Sequence, residues 1–180
     1  MRTFKVNHVM GNPQVDIAWW LQGTAEQYRI SGRAYLVPAP EHALHAECMA
    51  RVAKSPALSL VDKKGADGED ETDFSWEKRR TEAFAEMRPA LKASCRIVEQ
   101  PGSVIESYDA LKKYPRFIPN LDQADSDEQK ENWKLAFANF ALMYIEPTQV
   151  EYMELPARRR TLYTRQDDAG YAWKEELLVP

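Results

Sequence analysis

The alternating pattern from Glu26 to Val37 constrains the fold of this chain more than any other feature of its sequence. From Tyr28 onward every second residue is apolar, aromatic or glycine, and apart from Tyr35 the residues between them are polar. A period of two predicts a strand with one buried face. The segment Gln14 to Leu21, rich in Val, Ile and Trp, predicts a second strand, and Gln22 to Ala25 predicts the hairpin turn between them.

The end of the chain carries a second group of strand signals. Gln149 to Leu155, Arg160 to Arg165 and Tyr171 to Val179 each have strand composition, and Asp167 to Gly170 has the composition of a tight turn. Because the connections are short, neighbouring strands are expected to pair antiparallel. The tail is therefore predicted to be a three-strand meander.

The segment before the tail combines a helix signal with an apolar run. Ser126 to Gln129 fits a capping box, so a short helix is expected through Trp133. Ala136 to Ile145 is apolar at nearly every position, which predicts a strand covered on both faces. Pro147 is expected to end this strand, because proline cannot donate to a sheet ladder.

Helices are predicted in three other places. The first ten residues have apolar positions at helical spacing, with Thr3 as a candidate N-cap, and Glu41 to Lys54 has helical composition. From Trp76 apolar residues recur at helical spacing on a charged background, which predicts a surface helix bent at Pro89.

A length of 180 residues fits one domain spanning residues 1–180. Within it we expect a mobile acidic loop at about 62–73 and an irregular helical insert at about 74–133. The element order lacks the alternation of strands and helices that a doubly wound sheet requires. The predicted class is mainly β (α+β), a small antiparallel barrel with peripheral helices.

Charge and cysteine content exclude several functions. The chain has 24 Lys and Arg against 28 Asp and Glu, a net charge of −4, which argues against nucleic acid or an anionic membrane as partner. No apolar run is long enough to span a bilayer. Two cysteines, and a beginning that does not resemble a signal peptide, predict a cytoplasmic protein.

Few residues stand out as candidates for chemistry, since nucleotide-binding and hydrolase motifs are absent from the sequence. Arg2, Thr3 and Lys5 at a helix start, and the run Arg158 to Arg160, could each hold a phosphate. The alternatives are a frayed terminus and a solvated basic loop. The pair Trp19–Trp20 indicates core or dimer packing.

His42, His45 and Cys48 are metal-ligand types at helical spacing. Helical spacing leaves no fourth partner for them, so no metal site is predicted.

Several short motifs resemble the pyridoxamine 5'-phosphate oxidase family, in the branch described as FMN-binding domain proteins. At the front, Thr3 to Val15 and Ala25 to Ala34 are similar to the family's Ser-Arg-Lys, Asn-Pro and Arg-Gln…Gly-x-Ala pattern. At the end, Arg160 to Arg165 followed by Trp173 and Leu178 to Pro180 is similar to its Arg-Phe-Leu-Tyr-x-Arg…Trp…Pro pattern. The resemblance covers about half of the chain, the beginning and the end.

The resemblance implies an FMN-binding split β-barrel that forms a homodimer with flavin at the subunit interface. By resemblance Thr3 and Lys5 would meet the FMN phosphate, Gln27 would hydrogen-bond the edge of the isoalloxazine, and Arg160 would lie near its pyrimidine side. Arg2, beside them at the predicted helix start, is a further candidate for the phosphate. The implied activity is that of a flavin-dependent oxidoreductase acting on a small-molecule substrate. The alternative is a non-catalytic, dimerising or flavin-sequestering remnant of the barrel.

The chain departs from the family pattern in ways that bear on activity. Phe4 replaces a phosphate-contacting arginine, Met153 replaces a flavin-contacting tryptophan, and only Arg158 lies near the family's substrate-binding Arg-x-His pair. The family's first strands would precede Met1, so we expect an open sheet edge and weakened FMN binding.

Overall fold

The computed structural model describes residues 4–58, 75–166 and 172–180. Its strands are β1 Gln14–Leu21, β2 Glu26–Val37, β3 Leu142–Glu154, β4 Arg159–Arg165 and β5 Trp173–Leu178. Its α-helices are α1 Phe4–Gly11, α2 His45–Val52, α3 Trp76–Glu86, α4 Pro89–Arg96 and α5 Asp127–Asn139. Two short 3-10 helices, Tyr108–Leu111 and Leu121–Gln123, interrupt the otherwise irregular stretch before α5.

The five strands form one sheet in the order β1-β2-β3-β4-β5. The strand pairs β1–β2, β3–β4 and β4–β5 are antiparallel. The predicted α+β class with an antiparallel sheet is therefore confirmed, and the five described strands make an open sheet, with β1 and β5 as its edges.

The hairpin and the meander are confirmed. The bounds of β1 and β2 agree with the alternation seen in the sequence, and the register pairs Gln14 with Arg33 through to Leu21 with Glu26. The predicted tight turn Asp167–Gly170 between β4 and β5 lies outside the described residues.

The prediction of a strand over Ala136–Ile145 is wrong in its first half. Ser126 caps α5 by accepting a hydrogen bond from the Gln129 backbone N–H, as the capping box predicts, but the helix continues to Asn139. A continuous apolar run fits a buried helix end as well as a strand. Here the residues pack at helical spacing, with Ala136 buried beside Phe84.

Pro147 does not end the strand either, since β3 runs from Leu142 through to Glu154. Next to Pro147, the neighbouring strand β2 has a glycine, Gly32. A β-carbon at Gly32 would overlap the backbone carbonyl of Glu146 and approach Pro147. Glycine therefore lets the β2 backbone approach β3 at the proline, so that β3 can pass through it.

The bent helix predicted from Trp76 is two helices. Ser75 caps α3 by accepting from the Lys78 N–H, and Met87 and Arg88 then have extended backbones before α4 begins at Pro89. The residue before a proline disfavours the helical region, which explains the break. The predicted Glu41–Lys54 helix is also shorter, because the His42 ring accepts a hydrogen bond from the Leu44 N–H in a turn before α2 begins.

The chain divides into two compact units. The helical unit comprises Met1–His8 and Leu36–Met143, and the sheet unit comprises Val9–Tyr35 and Tyr144–Pro180. A single domain over 1–180 stays a prediction, and the loop predicted at about 62–73 lies outside the described residues. None of the helices within the described ranges is long and apolar enough to cross a membrane.

Candidate functional site

Gln27 and Arg160, predicted from the sequence to contact the flavin ring, lie on the same face of the sheet. The rings of Tyr28 and Tyr152 are 5.0 Å apart, which aligns β2 with β3. The Leu155 N–H donates to the Ala25 carbonyl oxygen at 3.2 Å in the same alignment, so Gln27 falls beside Met153, and Met153 is paired in turn with Arg160. Residues opposite one another in adjacent strands point to the same face, so these three side chains form a cross-strand row.

Arg160 is held by an acidic neighbour. Its Nη2 donates to Glu151 Oε2 at 2.9 Å, and Glu151 Oε1 lies 3.7 Å from Nη1 of Arg29. The Glu151 side chain is only 17% exposed. The Nε of Arg160 is buried and has no hydrogen-bond acceptor among the described residues. A buried donor without an acceptor is costly, so this atom marks a place where an acceptor from a ligand would be favourable.

A cleft of about 310 Å³ with a mixed polar and apolar lining lies in the sheet unit next to the Gln27–Arg160 row. Arg29 and Glu151 line it together with Asp16, Ser31 and Gln149. The Ser31 hydroxyl donates to Asp16 Oδ1 at 2.5 Å. These groups offer both hydrogen-bond donors and acceptors, and both signs of charge, to a small polar molecule.

The opposite face of the sheet unit is aromatic. The Trp19 ring centre lies 6.1 Å from that of Tyr28, and the Tyr28 and Tyr152 rings are tilted by 38° to one another. The Tyr152 hydroxyl donates to Glu26 Oε1 at 2.8 Å. This hydrogen bond, with a smaller contribution from burial, raises the pKa of Tyr152 to about 12. Because side chains alternate along a strand, Trp20 points to the other side of β1 from Trp19.

The predicted phosphate contacts are less defined. Arg2 and Thr3 lie outside the described residues. Lys5 is exposed in the first turn of α1, within the helical unit, whereas Gln27 and Arg160 belong to the sheet unit. The structure thus brings together Gln27 and Arg160 of the predicted set.

The run Arg158 to Arg160 divides into two environments. Arg158 has a positive φ of 52° in the turn before β4, and Arg158 and Arg159 are exposed. A solvated basic loop therefore describes these two residues. Only Arg160 is half-buried and bonded to a carboxylate.

The histidines and the cysteine singled out in the sequence have local roles. His42 accepts from the Leu44 N–H, His45 Nδ1 lies 3.2 Å from the Pro38 carbonyl oxygen, and Cys48 is buried. Within the described ranges, no three His, Cys, Asp or Glu side chains are grouped so that they could hold a metal ion.

A larger cleft of about 410 Å³ lies in the helical unit and contains none of the predicted site residues. It is lined by α4 and by the irregular stretch that follows, with Tyr108, Tyr114, Lys112 and Arg116 on its walls. Size alone therefore does not identify the site that the sequence motifs indicate.

Sequence reasoning missed Arg29 and Glu151. They are separated by more than a hundred residues, and only the pairing of β2 with β3 brings them to one place. The sequence feature that could have indicated them is their spacing from Gln27 and Met153. Each stands two residues from a member of the Gln27–Met153 pair, and so on the same face of its strand.

Comparisons with known proteins support the fold rather than a specific activity. No protein-family model matches the chain, and no curated protein matches it. Among solved structures it is similar to a pyridoxamine 5'-phosphate oxidase-related, FMN-binding protein from Nostoc punctiforme PCC 73102. That match has a TM-score of 0.60 and 18% identity, and covers 99% of this chain and 69% of the other.

A second similar structure is PhzG from Burkholderia lata 383 in complex with tetrahydrophenazine-1-carboxylic acid. Here the TM-score is 0.51 with 14% identity, and the match covers 99% of this chain but 65% of the other, just under two thirds. The chain thus has the fold of pyridoxamine 5'-phosphate oxidase-like proteins, and the resemblance seen in the sequence is confirmed at the level of the fold.

Proposed function

We propose that this chain binds FMN on the polar face of its sheet and acts as a flavin-dependent oxidoreductase on a small-molecule substrate. The observation that carries the proposal is the buried Nε of Arg160, which lacks an acceptor among the described residues and lies in the same cross-strand row as Gln27. A fold shared with an FMN-binding protein adds independent support.

In this proposal Gln27 and Arg160 have distinct roles. The Gln27 amide can both donate and accept, which suits the mixed donors and acceptors at the edge of an isoalloxazine. The Arg160 guanidinium provides an N–H for a ring oxygen and a positive charge next to the pyrimidine side. When bound, FMN supplies the two-electron redox chemistry, and a nearby cation stabilises its reduced, negatively charged form.

The proposed phosphate contacts are Arg2, Thr3 and Lys5, of which the structure describes Lys5, in the first turn of α1. Free backbone N–H groups and the helix dipole favour an anion at a helix N-terminus, and a lysine adds a full charge. Lys5 is exposed and so accessible to a ligand.

The proposal is tested by titrating FMN with the purified chain and following the binding through quenching of the flavin fluorescence. Loss of a charge-assisted hydrogen bond costs about 1.5–3 kcal/mol. We therefore expect Arg160→Ala to weaken FMN binding by roughly tenfold or more. The matched control is Arg159→Ala, which removes an exposed arginine one position away on the other face. Absence of saturable binding by the folded parent chain would refute the proposal.

We also propose that two copies of the chain form a homodimer. Trp19 is 56% exposed and Trp20 46% exposed on the edge strand β1, and edge strands with apolar surface are commonly covered by a partner. Sedimentation of the parent chain should give the mass of a dimer, and Trp19→Thr should shift it toward the monomer. The control is Leu177→Thr on the other edge strand, where the side chain is also exposed.

The second candidate function is a flavin carrier without turnover. Met153 stands in the Gln27–Arg160 row at the position where the resemblance places a flavin-contacting tryptophan, which favours this reading. Reduced nicotinamide dinucleotides and pyridoxamine 5'-phosphate are the donors to test first. Stoichiometric FMN uptake with no oxidation of either donor would support the carrier, and multiple turnovers would exclude it.

A further inference from the structure

The Glu151 carboxylate of the sheet unit lies between two arginine side chains. Its two oxygens face two different arginines, Oε2 toward Arg160 and Oε1 toward Arg29. The carboxylate is largely shielded from solvent, whereas the Arg29 side chain is 56% exposed. Charges that are shielded from solvent interact more strongly than charges in water. The net charge of Glu151, Arg29 and Arg160 therefore affects the binding of any charged ligand beside them.

The three side chains together carry a net charge of about +1, since one carboxylate faces two guanidinium groups. Removing the charge of Glu151 would raise this net charge to about +2, and removing that of Arg29 would lower it to about zero. The chain therefore contains substitutions that change the local charge in opposite directions while Arg160 stays in place.

We propose that Glu151 is a positioning residue that sets the relative affinity of the chain for oxidised and reduced FMN. It acts through Arg160, by orienting the guanidinium and partly neutralising it. This inference rests on the proposed function, since it assumes that flavin binds beside Arg160. Because a nearby positive charge favours the negatively charged reduced form, the Glu151 carboxylate opposes that preference and makes the bound flavin a stronger reductant.

The test measures the midpoint potential of FMN bound to the full chain, in a titration with dithionite and a reference dye. Glu151→Gln keeps an oxygen that can accept from Arg160 but removes the charge. We expect it to raise the ratio of reduced to oxidised FMN affinity by about tenfold, which is about 30 mV for a two-electron couple. Arg29→Gln should shift the potential in the opposite direction, by less, because Arg29 is more exposed and lies further from the carboxylate.

Two further variants separate electrostatics from structure. Glu154→Gln makes the same chemical change on β3, three residues away and thus on the other face of the strand, and should leave the potential unchanged. Glu151→Asp keeps the carboxylate and should return the potential most of the way to that of the parent. If Glu151→Gln does not fold, the exposed Arg29→Gln still tests the sign of the effect.

The outcomes distinguish the inference from the function on which it rests. FMN binding with equal potentials in the parent, Glu151→Gln and Arg29→Gln overturns the inference alone. Shifts of the same sign in both variants overturn it as well. A folded parent chain that takes up no FMN overturns the proposed function and the inference with it.

Discussion

The helical unit and the sheet unit are stabilised in different ways. In the helical unit, the buried Phe84 ring lies 5.2–5.3 Å from the rings of Trp133, Phe137 and Phe140. In the sheet unit the largest fully buried side chain is the carboxylate of Glu146, and tryptophans such as Trp19 are exposed. The helical unit is therefore built around an aromatic cluster, whereas the sheet unit buries a hydrogen-bonded carboxylate.

Both units also bury charged groups. In the helical unit Arg80 donates to the carbonyl oxygens of Phe137 and Phe140, and Lys92 donates to that of Ala85, so these charges bind helix ends together. In the sheet unit the Arg160 Nε lacks an acceptor among the described residues. The two buried cations of the helical unit are thus paired with backbone carbonyl oxygens of their own unit.

The largest loss of stability is expected from Phe84→Ala in the helical unit. Deleting a fully buried aromatic ring leaves a cavity, and we expect a loss of about 3–5 kcal/mol in the free energy of unfolding. Leu91→Ala is the control in the same unit, since Leu91 is exposed, and should cost no more than about 0.5 kcal/mol. Equal losses measured by urea denaturation would show that this core does not stabilise the unit.

Glu146→Ala should have the next largest effect, in the sheet unit. Glu146 Oε1 accepts from Arg165 at 2.8 Å, and Oε2 accepts from the Tyr35 hydroxyl at 3.0 Å. Removing it leaves the nearly buried Arg165 without this carboxylate, at a cost of about 3 kcal/mol. The exposed Glu175→Ala should leave the unfolding midpoint almost unchanged. A loss below about 0.5 kcal/mol for Glu146→Ala would contradict a polar core in this unit.

Gly32→Ala tests the close approach of β2 to β3. Its β-carbon would overlap a backbone oxygen that cannot rotate away, so the strands must separate, at about 1–3 kcal/mol. Gly23 in the hairpin turn has open space around it, and Gly23→Ala is the matched control. If both alanine variants unfold at the same urea concentration, the strands are not in close contact at Pro147.

The smallest expected effect concerns pH. The pKa of Tyr152 is raised from 10.0 to about 12, chiefly by its hydrogen bond to Glu26. The folded state therefore keeps a proton that the unfolded state loses, so this stabilisation is present below pH 10 and is lost as pH rises toward 12. In Tyr152→Phe the unfolding free energy should decline less steeply over that range. Identical slopes in parent and variant would contradict the hydrogen bond.

Much of the sheet could be predicted from the sequence, because strand periodicity and turn composition are local properties. The bounds of β1 and β2 follow from alternation, and the cap at Ser126 follows from four adjacent residues. The apolar run after Trp133 was misassigned because its periodicity does not distinguish a buried strand from a buried helix end. The position of Pro147 inside β3 depends on Gly32, more than a hundred residues away.

The site could be predicted only in part for the same reason. Gln27 and Arg160 are candidates because they stand in motifs, and the alignment of β2, β3 and β4 puts both on one face of the sheet. Glu151 and Arg29 stand in no motif, and their meeting depends on which strands pair. A local pattern carries no information about that pairing.

Backbone hydrogen exchange with and without FMN tests most directly whether flavin binds to the sheet unit. The account predicts that FMN slows exchange in β2 around Gln27 and in β4 around Arg160, and that Arg160→Ala removes this protection. Protection confined to residues 90–116, which line the larger cleft of the helical unit, would contradict it. So would the absence of any change at saturating FMN.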